Sequence, residues 1–419
     1  MARGMLRAGF AAPAIGLAGF SLPLLTYLPS FYAGLDVPLA SIGAVFLLVR
    51  IVDMAIDPLI GVAVDRIGGR GRHRRWLLAA TPPLMAGTAM LFFPPGNVGA
   101  VWLLAALLLT YAGYSAYGIA HLGWGCALAE DRSGRNWLFG WAQAAHVAGV
   151  LIPAIIPLFV GGDPARAVMP TAMFILLALP AGVAIACLTV PLPLEKGAQQ
   201  RASLRDIGAL IAQPSILRLL AADMLTGMAV FTCGTLFFLY FGARGMEDGT
   251  VAVLFLLTNL CSLPGALLWA WFGSRIGKVP AAGVAFAAFA LLLVPIALLP
   301  ATPGVGTATL LCMFGATLCA GPVLIRSMLA DVAEAGRRAH GVDQSGLIAA
   351  LFLSSNKLGM AIGPGIAFML LGRAGFVLGA EAQAPAALAM LDMLAIWGPA
   401  LIGLFSIVLI LPLGKTFPE

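Results

Sequence analysis

The sequence predicts an all-α membrane protein of twelve transmembrane helices, and three observations predict it. The 419 residues are 61% hydrophobic and 10% charged, with a mean hydropathy of +0.99. Soluble domains carry about 25% charged and about 45–50% apolar residues, so a soluble chain this long would lack the polar side chains to solvate its surface. Apolar runs recur along the chain, each near the length of about 20 residues that a hydrocarbon core requires. Basic residues are confined almost wholly to alternate loops between those runs.

In order, the runs lie near 10–33, 38–64, 76–95, 99–128, 137–160 and 168–191, then 216–242, 249–273, 279–299, 305–329, 346–372 and 389–412. A polar stretch, Glu195 to Pro214, separates the two sets of six. The expected organisation is therefore an N-terminal six-helix bundle over 1–192, a linker over 193–215 and a C-terminal six-helix bundle over 216–419. An even helix number puts both termini on one side. That side holds Arg3, Arg7, Arg66, Arg70, Arg72, Arg74, Arg75, Arg132, Arg135, Lys196, Arg201, Arg205, Arg275, Lys278, Arg337, Arg338 and Lys415, and the other holds Arg166, Arg244 and Arg373. Basic loops stay in the cytoplasm, so both termini are expected there, in a bacterial inner membrane. Six helices, a central cytoplasmic linker and six more is the layout of the major facilitator fold, which works by alternating access. The halves echo each other weakly: Asp65-Arg66-Ile67-Gly68 follows helix 2, and Ser274-Arg275-Ile276-Gly277-Lys278 follows helix 8.

Other compositional features fit this class. The 50 Gly and 28 Pro lie inside apolar runs, where membrane helices tolerate them. The net charge of +6 reflects orientation, since no basic run is interleaved with aromatics as a nucleic-acid surface would be. Cys126, Cys187, Cys233, Cys261, Cys312 and Cys319 are widely spaced in apolar segments, which reads as small buried side chains and not a metal or disulfide frame. The first run lacks a cleavage site of the A-x-A type and is read as a retained helix. Nucleophile elbow, phosphate loop and dinucleotide-binding pattern are all missing, so no enzyme and no cofactor is expected.

Ionisable residues inside the apolar runs carry the functional reading, because an intramembrane charge costs several kcal/mol and persists where it is paired or functional. Helix 2 places Arg50, Asp53 and Asp57 at i, i+3 and i+7, along one face. Two carboxylates one turn apart repel in a low dielectric unless a cation answers them. Lys357, in helix 11, offsets one charge if that helix packs beside helix 2. The remaining acid is then met by a proton or a sodium ion, giving a cation site coupled to conformational change. A fixed salt-bridge network is the competing reading. Pro58 and Gly61 follow Asp57, and the proline frees a carbonyl in the preceding turn. His121, His146, Asp223 and Arg326 also fall in apolar runs; the histidines read as satisfied interior residues, and Asp223 and Arg326 as interfacial, snorkelling or capping a helix.

The stretch Arg50-Ile-Val-Asp53-Met-Ala-Ile-Asp57-Pro58-Leu-Ile-Gly61-Val-Ala-Val-Asp65-Arg66, with Gly71-Arg72-His73-Arg74-Arg75-Trp76 after it, resembles the signature of the glycoside–pentoside–hexuronide:cation symporter family of the major facilitator superfamily. Met328-Leu-Ala-Asp331-Val-Ala-Glu334, Gln344-Ser-Gly346-Leu347, Lys357-Leu-Gly359, Ala127-Leu128-Ala129-Glu130 and Trp141 extend the resemblance over nearly the whole chain. The resemblance implies that Asp53 and Asp57 bind the cation, that Lys357 and Arg50 are their charge partners, and that Asp65, Arg66 and Asp331 belong to the cytoplasmic gate. Trp124, His121, Trp141 and Gln143 are the candidate cavity residues.

The departures from the family are specific. Ile56 stands where sugar porters of the family have asparagine, and Ile119 where they supply a threonine from helix 4. Hard cations want several oxygen ligands, so these losses tilt the reading toward a proton, with Ser115 or backbone carbonyls able to compensate. The helix 1 aspartate and helix 5 arginine of those porters fall here at Leu17 and near Ala142. A pocket without them loses much discrimination for sugars. The leading expectation is a cation-coupled symporter of an organic solute such as a glycoside. The alternative is a lysolipid or amphiphile carrier, and the third reading is a non-transporting assembly factor. The partners expected are a small solute or lysolipid and the bilayer, with no nucleic acid, and the protein is read as monomeric.

Overall fold

A computed structural model describes residues 2–20, 28–66, 69, 71–96, 98–128, 132–159, 164–192, 208, 210–299, 303–340, 344–377 and 383–415. Most of the linker, Ala129, Glu130, Ile67, Gly68 and Arg70 lie outside them. The described chain is helical: α1 (Ala2–Ala18), α2 (Leu28–Ala33), α3 (Leu39–Arg66), α4 (Arg72–Phe92), α5 (Ala100–Ala127), α6 (Arg132–Phe159), α7 (Pro164–Thr189), α8 (Pro214–Gly242), α9 (Asp248–Arg275), α10 (Lys278–Ala297), α11 (Val305–Thr317), α12 (Ala320–His340), α13 (Ser345–Arg373), α14 (Pro385–Asp392) and α15 (Gly398–Ile410). Pairing α1 with α2, α11 with α12 and α14 with α15 gives the twelve spans of the major facilitator fold. Among the described residues, nine helical spans are long and apolar enough to cross a membrane, two of which, Val305–Gly336 and Pro385–Gly414, run through the joins of α11 with α12 and of α14 with α15.

Three expected spans are interrupted, and proline accounts for two of them. Pro322 has no N–H for the Leu318 carbonyl, and the chain turns at Leu318–Cys319 between α11 and α12. Pro399 likewise cannot bond the Ala395 carbonyl. The helix widens to a π turn over Met393–Trp397, and Cys233 donates its S–H to Ala395 O at 3.5 Å. In the first span, α1 starts at Ala2, earlier than the apolar run, and ends in a turn at Gly19–Phe20.

The chain forms two compact units. The first comprises Met1–Leu210 with Ala330–Ser354, the second Ile211–Leu329 with Ser355–Glu419. In a bilayer, lipid tails are as apolar as the side chains, so close packing across small residues replaces the hydrophobic drive between helices. In the first unit α1 packs on α6 and α7, and α4 on α5. A Cβ at Gly16 would fall 2.8 Å from the Leu179 backbone nitrogen, and one at Gly182 would fall 2.7 Å from the Ala12 carbonyl. In the second unit α9 packs on α11, and α15 on α8 and α10. Gly359 and Gly363, spaced G-x-x-x-G on α13, bring that helix onto α8, and a Cβ at Gly359 would collide with the Met224 carbonyl.

Candidate cation site and terminus-side gate

Helix α3 carries three aspartates, and each is buried within the first unit. Asp53 and Asp57 sit near the middle of the helix, 3% and 0% exposed. Ser115, on α5, donates its hydroxyl to Asp53 Oδ1 at 2.6 Å. Ser354, on α13, donates to Asp57 Oδ2 at 3.2 Å. Beside Asp53 lies a hollow of about 10 Å³, walled by Val49, Val52, Ile56, Leu108 and Tyr111. That volume is about what one water-sized occupant requires. Arg50 reaches across to α5, its guanidinium 5.1 Å from the centre of the Tyr111 ring. Asp53 with Ser115 beside the hollow, and Asp57 with Ser354 one turn on, each offer the hard oxygen ligands of a small cation, or a carboxylate to protonate.

Ser115 supplies the oxygen that the resemblance places on a threonine at the position of Ile119, which is fully buried here. It lies one turn earlier on the same face of α5, where an i, i+4 spacing keeps side chains aligned. Ser354 was not anticipated. Its only sequence signal is a hydroxyl on the apolar helix that also carries Lys357. Lys357 itself is half-buried and belongs to the second unit.

At its terminus-side end α3 presents Asp65, which meets the start of α13. Asp65 accepts the Gly346 N–H at 2.9 Å and the Leu347 N–H at 2.8 Å. These are orphan donors of a helix's first turn, and a carboxylate there also complements the helix dipole. Arg72 lies 3.2 Å from Asp65 and donates to the Ser345 hydroxyl at 3.0 Å. His73 Nε2 lies 3.3 Å from that hydroxyl. Gly71, at φ 80°, makes the left-handed turn that starts α4 and delivers Arg72 and His73. Gly346 lies so close that a Cβ there would be 2.7 Å from Asp65 Oδ1. Nearby in the same unit, Arg135 of α6 pairs with Asp331 of α12 at 2.6 Å, both side chains under one-tenth exposed. Arg66 is exposed at the last turn of α3. Asp65 and Asp331, both expected at a gate, are thus met by Arg72 and Arg135, with Ser345 and His73 beside Arg72.

The candidate cavity residues separate. Trp124 is fully buried, and its indole N–H meets no acceptor among the described residues. His121 stacks on Phe10 at 4.4 Å and its Nε2 lies 2.7 Å from the Phe10 carbonyl, so its ring ties α5 to α1. Gln143 is buried, while Trp141 is 39% exposed. His146 is half-buried on α6. Leu17 and Ala142 are buried in apolar packing, as their side chains require.

Asp223 departs from expectation. It lies in the interior of α8 and is 5% exposed, not interfacial. Its neighbours explain this: Asn356 hydrogen-bonds its carboxylate, and the Arg326 guanidinium lies near enough to act on its charge. A side chain answered in this way has no need to snorkel.

A family model described as MFS/sugar transport protein matches residues 9–413. The isoprimeverose transporter of Lactiplantibacillus pentosus is 26% identical over 93% of this chain and 84% of its own length. The lactose permease of Lactobacillus helveticus is 27% identical over 56% of this chain and 42% of its own. An uncharacterized symporter of Bacillus subtilis, YjmB, is 27% identical over 38% of this chain, so the chain spans little more than a third of that relative. Among solved structures, the Escherichia coli fucose:proton symporter superposes with a TM-score of 0.68 at 14% identity, over 96% of this chain and 98% of that one. A bacterial homologue of the iron transporter ferroportin gives 0.69 at 12% identity, over 99% of this chain and 100% of that one. At such identities these two structures speak for the fold alone.

Proposed function

The chain belongs to the MFS/sugar transport protein family, and we propose that it is a cation-coupled symporter of a glycoside or related neutral solute, working by alternating access in the bacterial inner membrane with both termini cytoplasmic. The observation that carries this reading is the set of Asp53, Asp57, Ser115 and Ser354 around the middle of α3. Carboxylates at that depth are costly while charged and unanswered. A bound cation offsets the charge, and the site then prefers one conformation over another by as much as its affinity for the ion differs between them. Arg50, on the same helix, is the basic residue assigned to balance the acids when the ion leaves.

The coupling ion is a proton or sodium. Ile56 and Ile119 favour the proton, whereas the two serine hydroxyls supply neutral oxygens that sodium uses. The two halves, 1–192 and 216–419 with the linker 193–215, are the bodies that would alternate, and the transporter is read as a monomer. The relatives named for isoprimeverose and lactose make glycosides the first solutes to try.

The test is uptake of labelled pentosides and hexosides into proteoliposomes under an imposed sodium or proton gradient. Concentrative uptake driven by one gradient and lost in Asp57→Asn is the expected result. Uptake of lysolipids but of no glycoside would overturn the solute class, and gradient-driven accumulation by Asp57→Asn would overturn the coupling role.

A further inference from the structure

The second unit holds a buried polar set that the cation site does not use. We propose that Asp223, Arg326 and Asn356 form a subsite for adjacent hydroxyls of an uncharged, polyhydroxylated solute; this rests on the glycoside symport reading above.

The three residues come from three helices. Asp223 lies on α8, Arg326 on α12 and Asn356 on α13. Asp223 and Asn356 lie about ten residues from the starts of their helices and Arg326 about fourteen from the end of its own, or about 15–20 Å at 1.5 Å per residue. That distance is about half of a hydrocarbon core of about 30 Å. Asn356 hydrogen-bonds the Asp223 carboxylate, its amide nitrogen lying 3.2 Å from where a Cβ at Gly227 of α8 would fall, and the Arg326 charge acts on the same carboxylate. Asp223 is 5% exposed, while Arg326 and Asn356 are half-buried, so the set has one open side. A half-exposed guanidinium at that depth faces water or a polar ligand, because acyl chains cannot solvate it.

The set is not needed as a staple. α8 and α13 are already closed on each other by Gly359 and Gly363, and by the Ser355 hydroxyl on the Leu220 carbonyl at 2.7 Å. α8 and α12 meet where a Cβ at Gly321 would lie 3.3 Å from Thr226 Oγ1. Apolar side chains of similar volume would hold such a seam as well or better than a buried ion pair.

Its chemistry suits a neutral diol. A carboxylate accepts about four hydrogen bonds, so Asp223 can take two adjacent hydroxyls beyond its amide partner. Arg326 and Asn356 donate back to the solute's oxygens. The set is charge-balanced, and an anionic solute would gain from Arg326 only by crowding Asp223.

Full-length wild type, Asp223→Asn and Asn356→Ala should be titrated with methyl xyloside, methyl galactoside, their monodeoxy analogues and glucuronate. For wild type, deleting a hydroxyl that Asp223 accepts should weaken binding about tenfold to a hundredfold. In Asp223→Asn that deletion should matter about tenfold less, while the stabilisation by ion or pH that depends on Asp57 persists. Asn356→Ala, the milder change, should show the same trend if Asp223→Asn does not fold. Wild-type affinity and unchanged sensitivity to every deoxy analogue in both variants would overturn the subsite alone. So would tighter binding of glucuronate than of the neutral glycosides. Wild type that binds no glycoside at all would overturn the symport reading and the subsite together.

Discussion

The middle and the terminus-side end of α3 handle the same problem, a buried aspartate, in different ways. Asp53 and Asp57 accept hydroxyls from Ser115 and Ser354. Asp65 accepts two backbone N–H groups from α13 and the Arg72 guanidinium. A serine hydroxyl can rotate and offer its oxygen to an ion instead, so it is a partner that can be exchanged. Backbone donors at a helix start, with an arginine beside them, are fixed in place and complement the carboxylate's charge. On the function proposed above, one helix carries a site that changes its ligand and, two turns on, a clasp that opens only when several contacts break together.

The sharpest test of this contrast is Asp57→Asn. Gradient-driven accumulation should vanish while the thermal midpoint stays near wild type, because asparagine keeps an acceptor oxygen for Ser354 and removes a charge that is costly at that depth. A large fall in the midpoint would erase the distinction. Asp65→Ala should do the reverse, lowering stability by about 3–5 kcal/mol as Arg72 and the first turn of α13 lose their partner. Equilibrium unfolding in detergent measures it. The neighbouring pair Arg135–Asp331 belongs with the clasp, and a double-mutant cycle on it should return about 1–3 kcal/mol of coupling. The smallest effect is expected from Ser115→Ala, about tenfold in apparent ion affinity with solute affinity unchanged, read from ion titrations of uptake.

Much of this was legible in the chain. The bilayer demands long apolar helices and tolerates few charges, so span count and the Asp53–Asp57 pair stand out from hydropathy and spacing alone. Ser115 was visible as a compensating oxygen because it shares a helical face with Ile119. Ser354 and Ser345 were not, since a serine in an apolar helix most often bonds its own backbone, as Thr226 does here to Ala222 at 2.8 Å. The breaks at Leu318 and near Ala395 are local backbone effects of Pro322 and Pro399 that leave the apolar run intact and so escape a hydropathy count. Asp223 was misplaced because position along a helix does not reveal which neighbours reach it; Asn356, 133 positions later in the chain, could be found only in three dimensions.

The inclusion of Ala330–Ser354 in the first unit has a consequence for biosynthesis. Gly346 follows Asp65 by 281 residues, and Ser354 follows Asp57 by 297. At about 5–20 residues per second, α3 waits about 15–60 s in the membrane before the ribosome delivers the groups that complete it. During that interval its aspartates must be kept by water, by a proton or by the insertion machinery. A nascent chain arrested before residue 345 should therefore display an α3 that is more readily extracted from the membrane, or more readily degraded, than the same helix in the finished protein.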